Sequence, residues 1–342
     1  MSHYRLALMG FGNVGQALAE LLMRKRQELK QDHHIEWSVV AIVTGSHGAA
    51  VDPGGLDLTK ALSAIQSGQS LVELSAGPTA DDHLSLIQDL EAEVLFENSP
   101  VNYDSGQPAL DYLEAALNQG MHAITANKGP VVHGYQRLTQ LAQKQGKRFY
   151  FESTVMDGAP VFGMWREALP AAQPKAFRGL LNSTTNLILT QMEQGQSYDQ
   201  AVAYAQEIGI AETDPSGDTQ GWDAAVKVAA LATVLMDTSL KPQQVQRQGI
   251  EEITSEMIED SLKQGKRWKL VCQARRDGNQ ISASVGPQEV SASDPLYTVM
   301  GTSSAVSFES DVLGELTVVE KDPSRHTTAY GLLADFINAV SP

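Results

Sequence analysis

Hydrophobic and polar positions alternate in two different rhythms along the chain. The apolar run YRLALMG predicts a buried strand, and in NVGQALAELLMRKRQELKQ the residues Val14, Leu18, Leu21 and Leu22 recur at helical spacing before a charged end. WSVVAIVTG predicts a second strand, ending at the turn Thr44-Gly45-Ser46-His47-Gly48. A longer excursion, DPGGLDLTKALSAIQSG, leads to a helix expected over Asp81 to Leu90, the strand AEVLFENS, the helix PALDYLEAALNQG and the strand HAITAN. Strands separated by helices predict a parallel sheet with right-handed crossovers. After Pro130 the rhythm changes. FYFESTVMDGAPVFGMW and FRGLLNSTTNLILTQME each read as a strand running into a helix, and mixed segments continue to about Leu316. The amphipathic tail TAYGLLADFINAV is expected to return as a helix to the first domain.

Gly10-Phe11-Gly12-Asn13-Val14-Gly15 fits GxGxxG directly after a strand and directly before a helix. The glycines permit a tight turn, close approach to a pyrophosphate and close packing of helix on strand, while the helix N-terminus offers N–H donors. This predicts an α/β fold with a Rossmann-type dinucleotide-binding domain, in which Gly10, Gly12, Asn13, Val14 and Gly15 contact the cofactor. An acid at the end of the second strand would hold the ribose of NAD. The chain instead offers Thr44, Ser46 and His47, with no acid before Asp52 and no arginine to grip a 2'-phosphate, which tilts the choice slightly to NADP over NAD. Asn98-Ser99-Pro100 and Asn127-Lys128 close two further strands at the C-terminal edge of the sheet, where ligands bind in such folds. A surface lysine opening a loop is the other reading of Lys128.

Composition narrows the function. A chain of 342 residues with 42% hydrophobic content buries a large core and suggests two domains, placed at 1–133 completed by the C-terminal helix 317–342, and at 134–316. The balance of 25 basic against 41 acidic residues gives a net charge of -16, which repels nucleic acid and anionic membranes. The start lacks a secretory pattern and no apolar run reaches the length of a membrane span, so a cytoplasmic protein is expected. Cys272, the only cysteine, lies in the apolar run WKLVCQA and reads as a buried strand residue, and the histidines form no zinc pattern.

The stretch GIAETDPSGDTQGWDAAVKVAALA carries Glu212, Asp214 and Asp218 into an alanine-rich helix containing Asp223 and Lys227. The latter two share a helix face that Ala230, Leu231 and Val234 continue. Asp218 fits an N-cap, which places the three upstream acids on the approach to the positive end of the helix. The pattern suits a site for a cationic ligand, and equally an ordinary surface pair worth about 0.3 to 0.5 kcal/mol.

TANKGPV, ESTVMDGAPV, LLNSTTNLILTQM and AQEIGIAETDPSGDTQGWDAAVK resemble, in that order, the homoserine dehydrogenase family, in its short single-function form without a regulatory domain or fused kinase. The resemblance implies reversible NAD(P)H-dependent reduction of L-aspartate 4-semialdehyde to L-homoserine, on the route to threonine and methionine. It implies an α+β catalytic and dimerisation domain over 134–316 and a homodimer or homotetramer. By the same resemblance Lys227 is the acid, beside Asp223, with Lys128 a second lysine at the reacting centre; Glu212, Asp218 and Asn182 bind substrate. Thr44, Asn98, Ser99, Lys128, Thr328 and Gly331 join the cofactor contacts, although EKDPSRHTTAYG lacks the glycine-rich segment of many members. The loop from Gly301 is another candidate to approach the nicotinamide. Glu152, Val155 and Asp157 become candidates for a structural monovalent cation, Na+ or K+, held mainly by carbonyls. Two alternatives remain: aspartate semialdehyde dehydrogenase, which needs an exposed cysteine nucleophile, and a nucleotide-sensing regulatory protein without turnover.

Overall fold

The computed structural model describes residues 1–77 and 82–341. It comprises two compact units, one of residues 1–158 with the segment from Ser324 onward, the other Ala159–Pro323.

The first unit is built on strands β1 (Ser2–Met9), β2 (Ile35–Val43), β3 (Ala49–Val51), β4 (Val94–Glu97), β5 (His122–Thr125) and β6 (Phe149–Tyr150). They lie in the order β3-β2-β1-β4-β5-β6, parallel throughout except for the edge strand β3. Reversal of strand order beside β1 creates the crevice at which such sheets bind ligands. The connecting helices are α1 (Asn13–Arg24), α2 (Arg26–Asp32), α3 (Leu58–Gln66), α4 (His83–Asp89), α5 (Ala109–Asn118) and α6 (Lys128–Lys144). The single helix expected after the glycine turn is two, broken at Lys25, because beyond the apolar stripe only Leu29 is buried. The helix expected from Asp81 starts at His83 with Asp82 as its cap; Asp81 itself lies outside the described residues.

The expected boundary at 133/134 falls inside α6. That helix is one more crossover, returning the chain to β6, which pairs in parallel with β5 through Ala123↔Phe149 and Ile124↔Tyr150. The FY run, expected inside the second domain, therefore closes the first sheet. The segment 317–342 also divides. Glu315–Glu320 is a strand of the second unit, whereas the C-terminal helix Arg325–Val340 buries Ala329, Leu332, Leu333 and Phe336 in the core that holds α1 and β1. Phe336 meets Tyr4 and Phe96 edge-on, with centroids 5.9 Å apart in each pair.

The second unit contains α7 (Val161–Gly163), β7 (Pro174–Leu180), α8 (Ser183–Glu193), α9 (Tyr198–Glu207), α10 (Ser216–Thr219), α11 (Trp222–Leu235), β8 (Gln246–Arg247), α12 (Ser255–Lys263), β9 (Lys266–Asp277), β10 (Gln280–Ser291), β11 (Ser304–Ser310) and β12 (Glu315–Glu320). The sheet order is β12-β11-β7-β9-β10-β8, antiparallel except where β8 joins β10. Helices α8, α11 and α12 pack on the sheet through β9. The cross-strand row Ser307, Arg178, Gln273 and Ser284 belongs to the opposite face, where it lines a polar depression of about 740 Å³.

Candidate active site

Each unit carries some of the residues singled out in the sequence. In the first, Gly10 has φ +93°, and a Cβ there would overlap the Asn98 carbonyl; one on Gly15 would overlap the Gly10 carbonyl. A Cβ on Gly12 would meet nothing within 4 Å. The outer glycines thus fold the turn, while the middle one keeps open space at the N-terminus of α1, where Asn13 and Val14 begin the helix. This is the arrangement that admits a pyrophosphate to backbone N–H groups. Thr44 closes its own turn: its hydroxyl donates to the Gly48 carbonyl at 2.9 Å and accepts from the His47 N–H at 2.8 Å. Its proton is therefore committed to the loop. Ser46 and His47 lie beyond it, joined at 2.8 Å.

At the C-terminal edge of the sheet, both polar atoms of the Asn98 amide are buried without a partner in the structure. A buried amide left unpaired costs about 1 to 3 kcal/mol, so its position beside the glycine turn suits a group that arrives with the cofactor. Ser99 follows, its N–H donating to Glu97 at 2.8 Å and its hydroxyl to the same carboxylate oxygen. Lys128 opens α6, which Asn127 caps by accepting from the Gly129 N–H at 3.0 Å. Glu97, fully buried, was not singled out in the sequence because it ends an otherwise ordinary apolar strand. Burial pushes its carboxyl upward against the hydroxyl and N–H donors around it.

In the second unit Lys227 and Asp223 form an ion pair at 3.2 Å with both side chains largely enclosed, not the exposed pair that is common at this spacing. The lysine ammonium also donates to the Leu181 carbonyl at 2.6 Å. Asn182 caps α8 through its side-chain oxygen, leaving its NH2 to donate to Asp218 at 2.6 Å and to Asp223 at 3.1 Å. One amide thus holds two carboxylates together. Burial and the nearby Asp223 push the Asp218 carboxyl up, opposed by its Asn182 and Thr184 hydrogen bonds. Two acids against one lysine leave a site with spare negative charge, suited to an ammonium group. Asp218 is not the expected N-cap of the lysine helix: it lies within α10, and Gly221 at φ +78° caps α11. Glu212 is exposed on the preceding loop, where Gln206 holds its backbone carbonyl.

Two further predictions change meaning. Gly331 is buried on the C-terminal helix, where a Cβ would overlap the Ser153 hydroxyl, so packing alone accounts for that glycine. The Thr328 hydroxyl is committed to Asp157 at 2.7 Å. The segment holding Glu152, Val155 and Asp157 is irregular, with Asp157 at φ +38° and the Glu152 N–H donating to buried Asp335 at 2.7 Å. Among the described residues no group of three His, Cys, Asp or Glu side chains could hold a metal ion, and no helix is long and apolar enough to cross a membrane. Cys272 is fully buried and its thiol is pushed up to about 12, which removes it as a nucleophile and with it the semialdehyde dehydrogenase alternative.

A family model described as the NAD-binding domain of homoserine dehydrogenase matches residues 10–152, and the homoserine dehydrogenase model matches 160–337. The chain belongs to the homoserine dehydrogenase family. It is an NAD(P)-dependent oxidoreductase acting on a CH–OH group. It is 35% identical to the NAD(+)-dependent homoserine dehydrogenase of Pseudomonas canavaninivorans, over 99% of this chain and 96% of that protein. It is also 35% identical to the Methanocaldococcus jannaschii homoserine dehydrogenase, over 97% of each. A hyperthermophilic archaeal homoserine dehydrogenase solved with NADPH shares the fold with a TM-score of 0.83 at 28% identity, over 99% of this chain and 98% of that one. Both matched models are dehydrogenase domains, so the regulatory alternative has no support.

Proposed function

We propose that the protein interconverts L-homoserine and L-aspartate 4-semialdehyde, with Lys227 as the proton-transferring residue. The observation that carries this assignment is the enclosed Lys227 ammonium, fixed between Asp223 and the Leu181 carbonyl in a helix otherwise apolar on that face. In the oxidising direction the hydroxyl proton of homoserine must leave, and a nicotinamide held at the glycine turn would supply the hydride acceptor. In the reducing direction negative charge grows on the carbonyl oxygen, and a lysine N–H meets it. Asp223 orients the ammonium. Asp218, Asn182 and Glu212 receive the amino acid, the first two through the paired carboxylates and shared amide described above. Lys128, placed at the ligand edge of the nucleotide sheet, is the second lysine of the reacting centre.

The glycine turn, Asn98 and Ser99 would hold NADP or NAD, and the non-acidic end of β2 is compatible with a 2'-phosphate. A monovalent cation on the backbone of the segment 152–157 fits the buried carboxylates of Glu152 and Asp335, and its role would be structural. The polar sheet face of the second unit is where a homodimer or homotetramer would form. A cytoplasmic place in threonine and methionine synthesis completes the reading.

The test is Lys227→Met measured beside Lys128→Met. Lys227→Met should fold and bind NADPH while losing about 10² to 10⁴ in kcat. Near-normal kcat in it, with collapse in Lys128→Met, moves proton transfer to Lys128. Near-normal activity in both removes lysine from the mechanism.

A further inference from the structure

Glu97 has no part in the chemistry above, yet it is a fully buried acid beside residues assigned to the cofactor and the reacting centre. Its two oxygens divide the work between neighbouring loops. One accepts from the N–H and hydroxyl of Ser99, on the loop after β4. The other accepts from the Thr125 hydroxyl at 2.8 Å, at the end of β5. The Thr125 hydroxyl oxygen in turn accepts the Asn127 N–H at 2.9 Å, and the Asn127 NH2 donates to the Ser99 carbonyl at 3.2 Å. The circuit Glu97, Ser99, Asn127, Thr125 and back to Glu97 is closed, and Lys128 is the next residue along the chain.

We infer that Glu97 is a positioning residue, which fixes the Asn98-Ser99 loop and the Asn127-Lys128 helix start in one geometry through this closed ring of hydrogen bonds. A local capping role alone would need Asn127 to satisfy α6, and nothing more. A carboxylate without solvent access is a costly way to finish a strand, because burying it opposes its ionisation, and an apolar residue would fill the same space. What the carboxylate provides is four acceptor lone pairs at one point, enough to take donors from two loops at once. Small displacements of a reacting group are expensive in rate, and Lys128 has no intervening residue to absorb movement of Asn127.

The inference rests on the homoserine dehydrogenase reading, and the test separates the two. Hydride transfer is followed as the pre-steady-state burst of NADPH formation, at saturating NADP and homoserine, in the parent protein, Glu97→Met and Glu97→Gln. The amplitude reports how much protein is folded and loaded; the first-order rate constant reports the geometry of what is loaded. Glu97→Met leaves the Ser99 N–H and hydroxyl without their acceptor and the Thr125 hydroxyl with only the main-chain carbonyl of residue 97, so the ring opens and its rate constant should fall about 10- to 100-fold. Glu97→Gln keeps the Ser99 acceptor and can donate to Thr125, whose proton then turns to the Glu97 main-chain carbonyl, 3.0 Å away. It should recover most of the lost rate. A fall in amplitude with an unchanged rate constant in Glu97→Met makes the ring purely structural and overturns the inference. So does an equal loss in both variants, which would assign the effect to charge. If the parent itself fails to oxidise homoserine, the proposed function falls first, and that outcome is visible before any variant is made.

Discussion

Lys269 offers a quantitative test of how the second unit tolerates a buried charge. It lies on β9, fully enclosed, with its ammonium donating to the Val299 carbonyl at 2.6 Å and to the Asn186 side-chain oxygen at 2.9 Å. Burial pulls it from 10.5 to about 8; Arg267 adds to the fall and Glu193 opposes it. The folded protein therefore holds this proton less tightly than the unfolded chain does. Below the folded value both states are protonated, and the whole cost, about 3 kcal/mol at about 1.4 kcal/mol per tenfold change in proton affinity, weighs against folding. As pH rises from about 8 towards 10.5 the folded state sheds the proton first, and the cost disappears. Lys269→Met keeps the stem and removes the titration. Urea unfolding of both proteins should show the parent gaining about 2 to 3 kcal/mol relative to the variant between about pH 7 and about pH 10. The two acceptors lose their donor at either pH, so that loss cancels from the comparison. A parent-to-variant difference that stays flat within about 0.5 kcal/mol across the range would refute the reasoning.

Asp218, pushed up by burial and by Asp223, should make the KM for homoserine rise as pH falls through its titration, because an ammonium ligand favours the ionised form. In Asp218→Asn that pH dependence should vanish and KM stay high, while the melting temperature at neutral pH rises, since the folded state no longer has to ionise an acid it disfavours; an unchanged KM profile rules this out. Gly12→Val should unfold within about 1 kcal/mol of the parent yet weaken NADPH binding at least about 10-fold by fluorescence titration, whereas Gly15→Val should lose stability outright; equal behaviour would mean the open space at Gly12 is not the cofactor's. Steady-state assays should find NADP at least as good as NAD, and a preference for NAD above about 100-fold would show that the turn from Thr44 to Gly48 does not set the choice.

Much of the fold was legible because its signals are local. The glycine turn, the alternation of strand and helix, and the face shared by Asp223 and Lys227 all depend on residues within two turns of one another. What escaped depended on partners far along the chain. Phe149 and Tyr150 read as the start of something new, and only their pairing with Ala123 and Ile124 shows that they finish the first sheet. Asp218 looked like a cap because a side-chain oxygen before a helix usually is one, but Gly221 at positive φ took that position and freed the acid for Asn182. Glu97 is a single acid at the end of an apolar strand, and Lys269 is one of several basic residues along β9, so nothing periodic sets either apart. Their meaning lies in loops brought to them by folding.

The C-terminal helix has a consequence for the order in which the protein can fold during synthesis. Leu332 and Phe336 belong to the same core as Leu6, Leu18 and Leu22, but the ribosome delivers them only after the whole of residues 159–323. The sheet that should hold the cofactor is thus left with an open side while the intervening unit emerges and can already complete its own core. A nascent chain halted within that stretch exposes apolar surface on α1 and β1, the kind of partly built domain on which chaperones act. Removing the helix would accordingly leave the nucleotide-binding unit permanently in that unfinished state, with the second unit's core residues all still present.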